Sequence, residues 1–147
     1  MMAFSTTTAF RLVRRLAMGR GRTGMYLVIY EKGAQLAIQT DLQAEVEVQM
    51  AAPLPIGRVS ELLDVDNVLG SPDAGPIRVL QIDRWSPELM ALLDTHVIRL
   101  ERTGAQFLFL TTPALAEQLL MEAPNFRNRL TDVLRIVPDD PSGGGPS

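Results

Sequence analysis

The stretch Arg78-Val79-Leu80-Gln81-Ile82-Asp83-Arg84-Trp85-Ser86-Pro87 decides how the rest of the chain is laid out. Val79, Leu80 and Ile82 make a short apolar run that closes on the acid Asp83, and Ser86-Pro87 then offers an N-cap and a first-turn proline. The pattern predicts a buried strand feeding an α-helix, with Asp83 at the strand's carboxyl end. In an open α/β sheet, that edge is where ligands and catalytic groups collect.

Toward the C-terminus, Leu89, Leu92, Leu93, Val97 and Leu100 keep the helical period until Gly104. Ala105-Gln106-Phe107-Leu108-Phe109-Leu110 reads as a second buried strand, and Thr112-Pro113 opens a helix carrying Leu115, Leu119 and Leu120. Asn125 is expected to cap a last helical segment with Phe126, Leu130 and Val133, and residues 134–137 to form a terminal strand. The polar, glycine- and proline-rich residues 139–147 are expected to be a disordered tail.

Toward the N-terminus, residues 5–8 offer several N-caps for a helix bearing Phe10, Leu12, Val13, Leu16 and Ala17. Gly19, Gly21 and Gly24 end it, and Met25-Tyr26-Leu27-Val28-Ile29-Tyr30 is continuous enough to be an interior parallel strand. Residues 34–44 suit a weakly amphipathic helix. Val46 and Val48 then alternate with Glu45, Glu47 and Gln49 as a short strand would. Ile56, Val59, Leu62 and Leu63 mark a short helix, and residues 64–75 an exposed loop. Strands alternating with helices predict one α/β domain over residues 5–138: a three-layer α/β/α sandwich around a mostly parallel sheet.

Composition narrows the chemistry. With 147 residues the chain has the length of one domain and can bury a core without staples. It has no cysteine and one histidine, which excludes thiolate catalysis and argues against a zinc site. A net charge of -3 argues against nucleic acid as a partner. The charge is uneven: residues 1–22 hold five arginines and no acid, while the remainder sets nine bases against 17 acids. The basic helix is expected to pack within the fold rather than on a membrane surface. With no long apolar run, the protein is expected to be cytoplasmic.

The glycines of residues 19–24 precede the first strand, whereas a phosphate-cradling P-loop follows it and ends in Gly-Lys-Ser/Thr. Glu31, Lys32 and Gly33 follow this strand instead, so no phosphate cradle is expected, and neither cofactor nor metal. Asp83 and Thr111-Thr112 would be the metal-holding acid and the hydroxyl sensor of a P-loop ATPase. Without a cradle they read as a turn residue, paired with Arg84 or Arg78, and a helix cap. His96 reads as a packed histidine, and no serine sits in a nucleophile elbow. Trp85, at a strand-to-helix turn, covers the core edge or anchors a partner. Arg84 with Trp85, Phe126 with Arg127 and Arg129, and Arg14 with Arg15 are the candidate partner contacts.

The second half resembles a known type of domain. The strand and helix of residues 80–102, the strand of 106–112 and the turn of 123–126 (Ala123-Pro124-Asn125-Phe126) are similar to the ATPase-like domain of bacterial STAND (NLR-type) conflict and signalling systems. The likeness is to their inactive variants that lack a P-loop. That resemblance implies a P-loop-NTPase-like fold without a Walker A loop, and a non-enzymatic regulatory module binding a protein partner or a second copy, with an effector such as a protease as its target. A degenerate nucleotide-binding domain and a membrane-surface adaptor using the basic helix are the alternative readings.

Overall fold

In the computed structural model, residues 4–19, 23–58, 76–102 and 104–139 are described. The elements run β1 (Ser5–Thr8), α1 (Ala9–Met18), β2 (Gly24–Ile29), α2 (Gln35–Met50), β3 (Ile56–Arg58), β4 (Ile77–Gln81), α3 (Pro87–Arg102), β5 (Gln106–Thr111), α4 (Pro113–Glu122), α5 (Pro124–Asn128) and β6 (Asp132–Val137). Among the described residues six strands form one sheet in the order β1-β6-β2-β5-β4-β3. Every pairing is parallel, with Ile29 opposite Thr111 and Arg135, and Gln81 opposite Leu110.

A parallel sheet is buried on both faces, and β2, β4 and β5 are buried along their whole length. Alternate residues split between two cores. One joins Met25, Leu27, Ile29, Leu80, Phe107 and Phe109 to Leu89, Leu93, Leu119 and Phe126 of α3, α4 and α5. The other joins Tyr26, Val28, Val79, Leu108 and Leu110 to Leu12, Val13 and Leu16 of α1 and to Ile38, Leu42 and Val46 of α2. The basic helix α1 therefore packs within the fold, with Ala9, Leu12, Val13 and Leu16 buried. Its last carbonyls are tied down by Gln106, whose Nε2 donates to Leu16 O at 2.8 Å. Gly24 can open β2 because a Cβ there would come within 2.8 Å of the Tyr26 ring.

Four local expectations are corrected. Residues 45–50 continue α2 rather than forming a strand: the i, i+4 series Ile38, Leu42, Val46 and Met50 is buried while Val48 is 81% exposed. An alternating strand would have buried Val46 and Val48 together. Residues 5–8 are not merely a cap but an edge strand, suited by three β-branched threonines. Thr8 also serves as the N-cap of α1, its Oγ1 accepting from Arg11 N. Ile56 begins the short strand β3 rather than a helix. Asn125 does not cap α5, because Pro124 already occupies its first turn; Asp94 of α3 does, accepting from Phe126 N at 3.0 Å and from Asn125 Nδ2 at 3.2 Å. The expected loop at 64–75, the rest of the short helix expected after Ile56, and residues 140–147 of the tail lie outside the described residues, as does the side chain of His96.

Candidate functional site

Two regions at the carboxyl side of the sheet are built unlike each other. The first is the corner where β2 turns into α2. Tyr30 ends the strand line, Glu31 to Gly33 make the turn, and Gly33 takes φ +96, a left-handed value that suits glycine. Ala34 N donates to Glu31 O, and α2 starts from Ala34 without a side-chain cap. A shallow cavity of about 350 Å³ lies here, lined by Tyr30, Lys32, Gly33, Gln39 and Thr112 among others.

Below the cavity the polar groups bond one another. Gln81 is fully buried at the end of β4; its Nε2 donates to the Tyr30 hydroxyl at 2.6 Å and to Leu110 O at 3.3 Å. Gln39 Nε2 from α2 donates to Gln81 Oε1 at 2.9 Å. Thr111, also fully buried, donates its Oγ1 proton to Ile82 O at 3.1 Å. Among the described residues no buried side-chain nitrogen or oxygen lacks a partner. Burial raises the Tyr30 phenol above its usual value, the Gln81 bond opposes that, and the Asp83 charge adds to it.

A nucleoside triphosphate with magnesium is the ligand that such a scaffold implies, and these residues do not make its cradle. The turn holds one glycine, the sequence contains no Gly-Lys-Ser/Thr, and the Thr111 hydroxyl already donates to the backbone. Asp83 is exposed beyond the end of β4. Arg78 cannot pair with it as expected: the two are five residues apart along an extended chain, roughly 16 Å. Arg78 is instead buried near the start of β4, its guanidinium 5.7 Å from the Phe107 ring centre, and burial lowers its pKa. Among the described residues, no group of three His, Asp or Glu is placed to hold a metal ion. No helix among them is long and apolar enough to cross a membrane.

The second region is a groove of about 950 Å³ on the α3–α5 face, beside the strands β6 and β1. Its wall is one stripe of α4 at helical spacing: Pro113, Ala116, Glu117, Leu120 and Met121. Its floor includes Ile29, Val133 and Phe4, and Glu31, Arg135 and Arg127 stand on its rim. Glu31 and Arg135 form an ion pair. Met121 is 73% exposed, an apolar side chain left facing the opening. Nothing in the spacing of α4 distinguished this stripe from core, so sequence reasoning missed it.

The expected contact residues scatter. Phe126 is no surface residue: it is fully buried, edge-on to Phe109 at 4.8 Å, because the short α5 turns it inward while Arg127 and Arg129 stay outside. Arg127 reaches back to Leu120 O and borders the groove. Arg14 is exposed; Arg15 pairs with Asp132 at 3.0 Å and lies over the Tyr26 ring. Trp85 is 39% exposed next to the exposed Arg84, at the carboxyl edge of β4.

An all-parallel six-stranded sheet with helices on both faces defines the class as α/β with a P-loop-NTPase-like fold. A solved structure, the DnaC helicase loader, is similar to it with a TM-score of 0.56 at 11% sequence identity, covering 86% of this chain and 87% of that one. At that identity the likeness carries the fold alone. No family model matches the chain, and no curated protein matches its sequence.

Proposed function

We propose that this chain is a non-enzymatic, protein-binding regulatory module, built on an inactive STAND-type version of the P-loop-NTPase-like scaffold, that holds or recruits a partner effector protein. One observation carries the reading. At the corner that would hold phosphates the Gln39, Gln81 and Tyr30 side chains bond one another, while the groove beside β6 and β1 leaves, among the described residues, Met121 exposed and Phe4 and Val133 partly exposed. Satisfied polar groups have little to offer a charged ligand, whereas an uncovered apolar groove gains free energy when a protein covers it. The test is affinity isolation of the full chain from its native cells under high salt, with mass spectrometry of what co-purifies. A single protein at near-equal stoichiometry is expected; the chain recovered alone, or with catalytic turnover of its own, would contradict the reading.

A second reading, a degenerate nucleotide-binding domain, is favoured by one feature: the 350 Å³ cavity bordered by Lys32, Gly33 and Thr112. It requires a base and ribose to seat over Tyr30 and Leu36 without a phosphate cradle. Protection of the Tyr30 to Gly33 amides by a nucleotide would support it.

A further inference from the structure

We infer that the outward face of α2 pairs with the same face of a second copy of this chain, the two helices lying antiparallel about a two-fold axis. This goes beyond the protein-binding reading and does not rest on it, because α2 packs on the face of the sheet away from the groove. The make-up of α2 is the first observation. Ile38, Leu42, Val46 and Met50 are buried against the sheet. The opposite side carries Leu36, Ala37, Thr40, Ala44, Glu47 and Val48, all exposed. A surface helix ordinarily turns charged residues outward. Here the i, i+4 ridge Leu36, Thr40, Ala44 and Val48 has no charge, and its two apolar ends are 75% and 81% exposed.

A second copy is specified because the ridge is its own complement. A two-fold axis between Thr40 and Ala44 sets each residue against the one equally far beyond Leu42 in the other copy. Leu36 then meets the second copy's Val48, Thr40 its Ala44 and Ala37 its Glu47, and each contact is made twice. The small residues at the centre let the helix axes approach to about 8 Å, while Leu36 and Val48 fill the space at the ends. Charge agrees with the antiparallel sense. α2 begins with no side-chain cap and no acid in its first turn, and it has no base in its last. Glu47 therefore sits at the negative end of its own helix dipole, where it is disfavoured. Pairing places it instead against the first turn of the other helix, close to Lys32, where a negative charge is favoured. A parallel pair would bring the two Glu47 side chains and the two like helix ends together.

The test is sedimentation of the full chain over a micromolar-to-millimolar series, in which the mass should rise from 16.2 kDa toward twice that value. Leu36 also borders the corner cavity, so Val48, at the far end of the helix, is the cleaner position to change. Val48→Glu should fold with an unchanged melting temperature at low concentration and raise the dimer dissociation constant about tenfold or more, because each glutamate must be buried against Leu36. Glu47→Lys should raise it about two- to fivefold, the scale of an exposed charge contact. The chain has no cysteine, so introduced thiols report the register. An equal mixture of Leu36→Cys and Val48→Cys chains should form the mixed disulfide on mild oxidation, and neither variant should cross-link with itself. A chain that stays monomeric at millimolar concentration would overturn the assignment. So would a Val48→Glu variant that dimerises as well as wild type, or self-cross-linking of either thiol variant in place of the mixed pair. None of these results touches the groove, whose Met121 lies on the other face of the sheet.

Discussion

The corner after β2 and the groove beside β6 border opposite faces of the same sheet, yet their side chains are used in opposite ways. At the corner, Gln81, Gln39, Tyr30 and Thr111 are polar groups bonded to one another and to the backbone. In the groove, Met121 is exposed and Val133 and Phe4 are partly exposed apolar groups beside the buried Leu120. A buried polar network rigidifies a corner because losing any member strands the others. An uncovered apolar stripe adds little to folding, and its free energy is available to whatever covers it. On the proposed reading, a partner is met at the sheet's flank rather than at the corner after β2.

The largest effect expected tests the inner side of that contrast. Phe126→Ala removes a fully buried ring packed on Phe109 and should cost about 3–5 kcal/mol in urea unfolding. The neighbouring exposed Asn128→Ala should stay within about 0.5 kcal/mol. Equal, small effects would return Phe126 to the surface. Next, Gln81→Leu leaves the Tyr30 hydroxyl and the Gln39 amide without their shared partner, and should cost about 1–3 kcal/mol. A neutral result would mean that the corner is wet and open, and would break the comparison.

Asp139 gives a smaller, pH-dependent effect. Burial first, then the Asp41 and Glu45 charges, raise its carboxyl above the usual aspartate value, with the Phe10 N–H opposing. The folded state therefore holds this proton more tightly than the unfolded chain. Its stabilising contribution is complete below the unfolded aspartate value near 3.8 and is lost as pH rises through the higher folded value. Asp139→Asn should consequently raise the melting temperature slightly at pH 7 and change it little at pH 3, as thermal melts at the two values would show. Smallest of all, Met121→Glu in the groove should leave stability within about 0.5 kcal/mol. It should nevertheless weaken capture of the partner, which separates a binding surface from a structural one.

Much of the scaffold could be read from residue order. The apolar runs ending at Tyr30, Ile82 and Leu110 are long and β-branched or aromatic enough to force buried strands, and Ser86-Pro87 and Thr112-Pro113 punctuate them. What misled was local. Val46 and Val48 alternate with glutamates, yet the i, i+4 partners Leu42 and Met50 decide the helix, a choice made by packing on the sheet. Asn125 looks like a cap until Asp94, 31 residues earlier, takes that place. The corner's network joins residues 30, 39, 81 and 110, which only the strand order brings together. Phe126 was visible as a residue and invisible as core, because a five-residue helix sets its direction through tertiary contact.

Whether the corner after β2 takes a nucleotide is read out by a thermal melt of the full chain with saturating ATP and magnesium. Ligand binding to the folded state alone would raise the midpoint by mass action, by several degrees at a hundredfold excess over the dissociation constant. An unchanged midpoint is expected for the wild-type protein. A clear rise, lost when Lys32 is replaced by alanine, would contradict it.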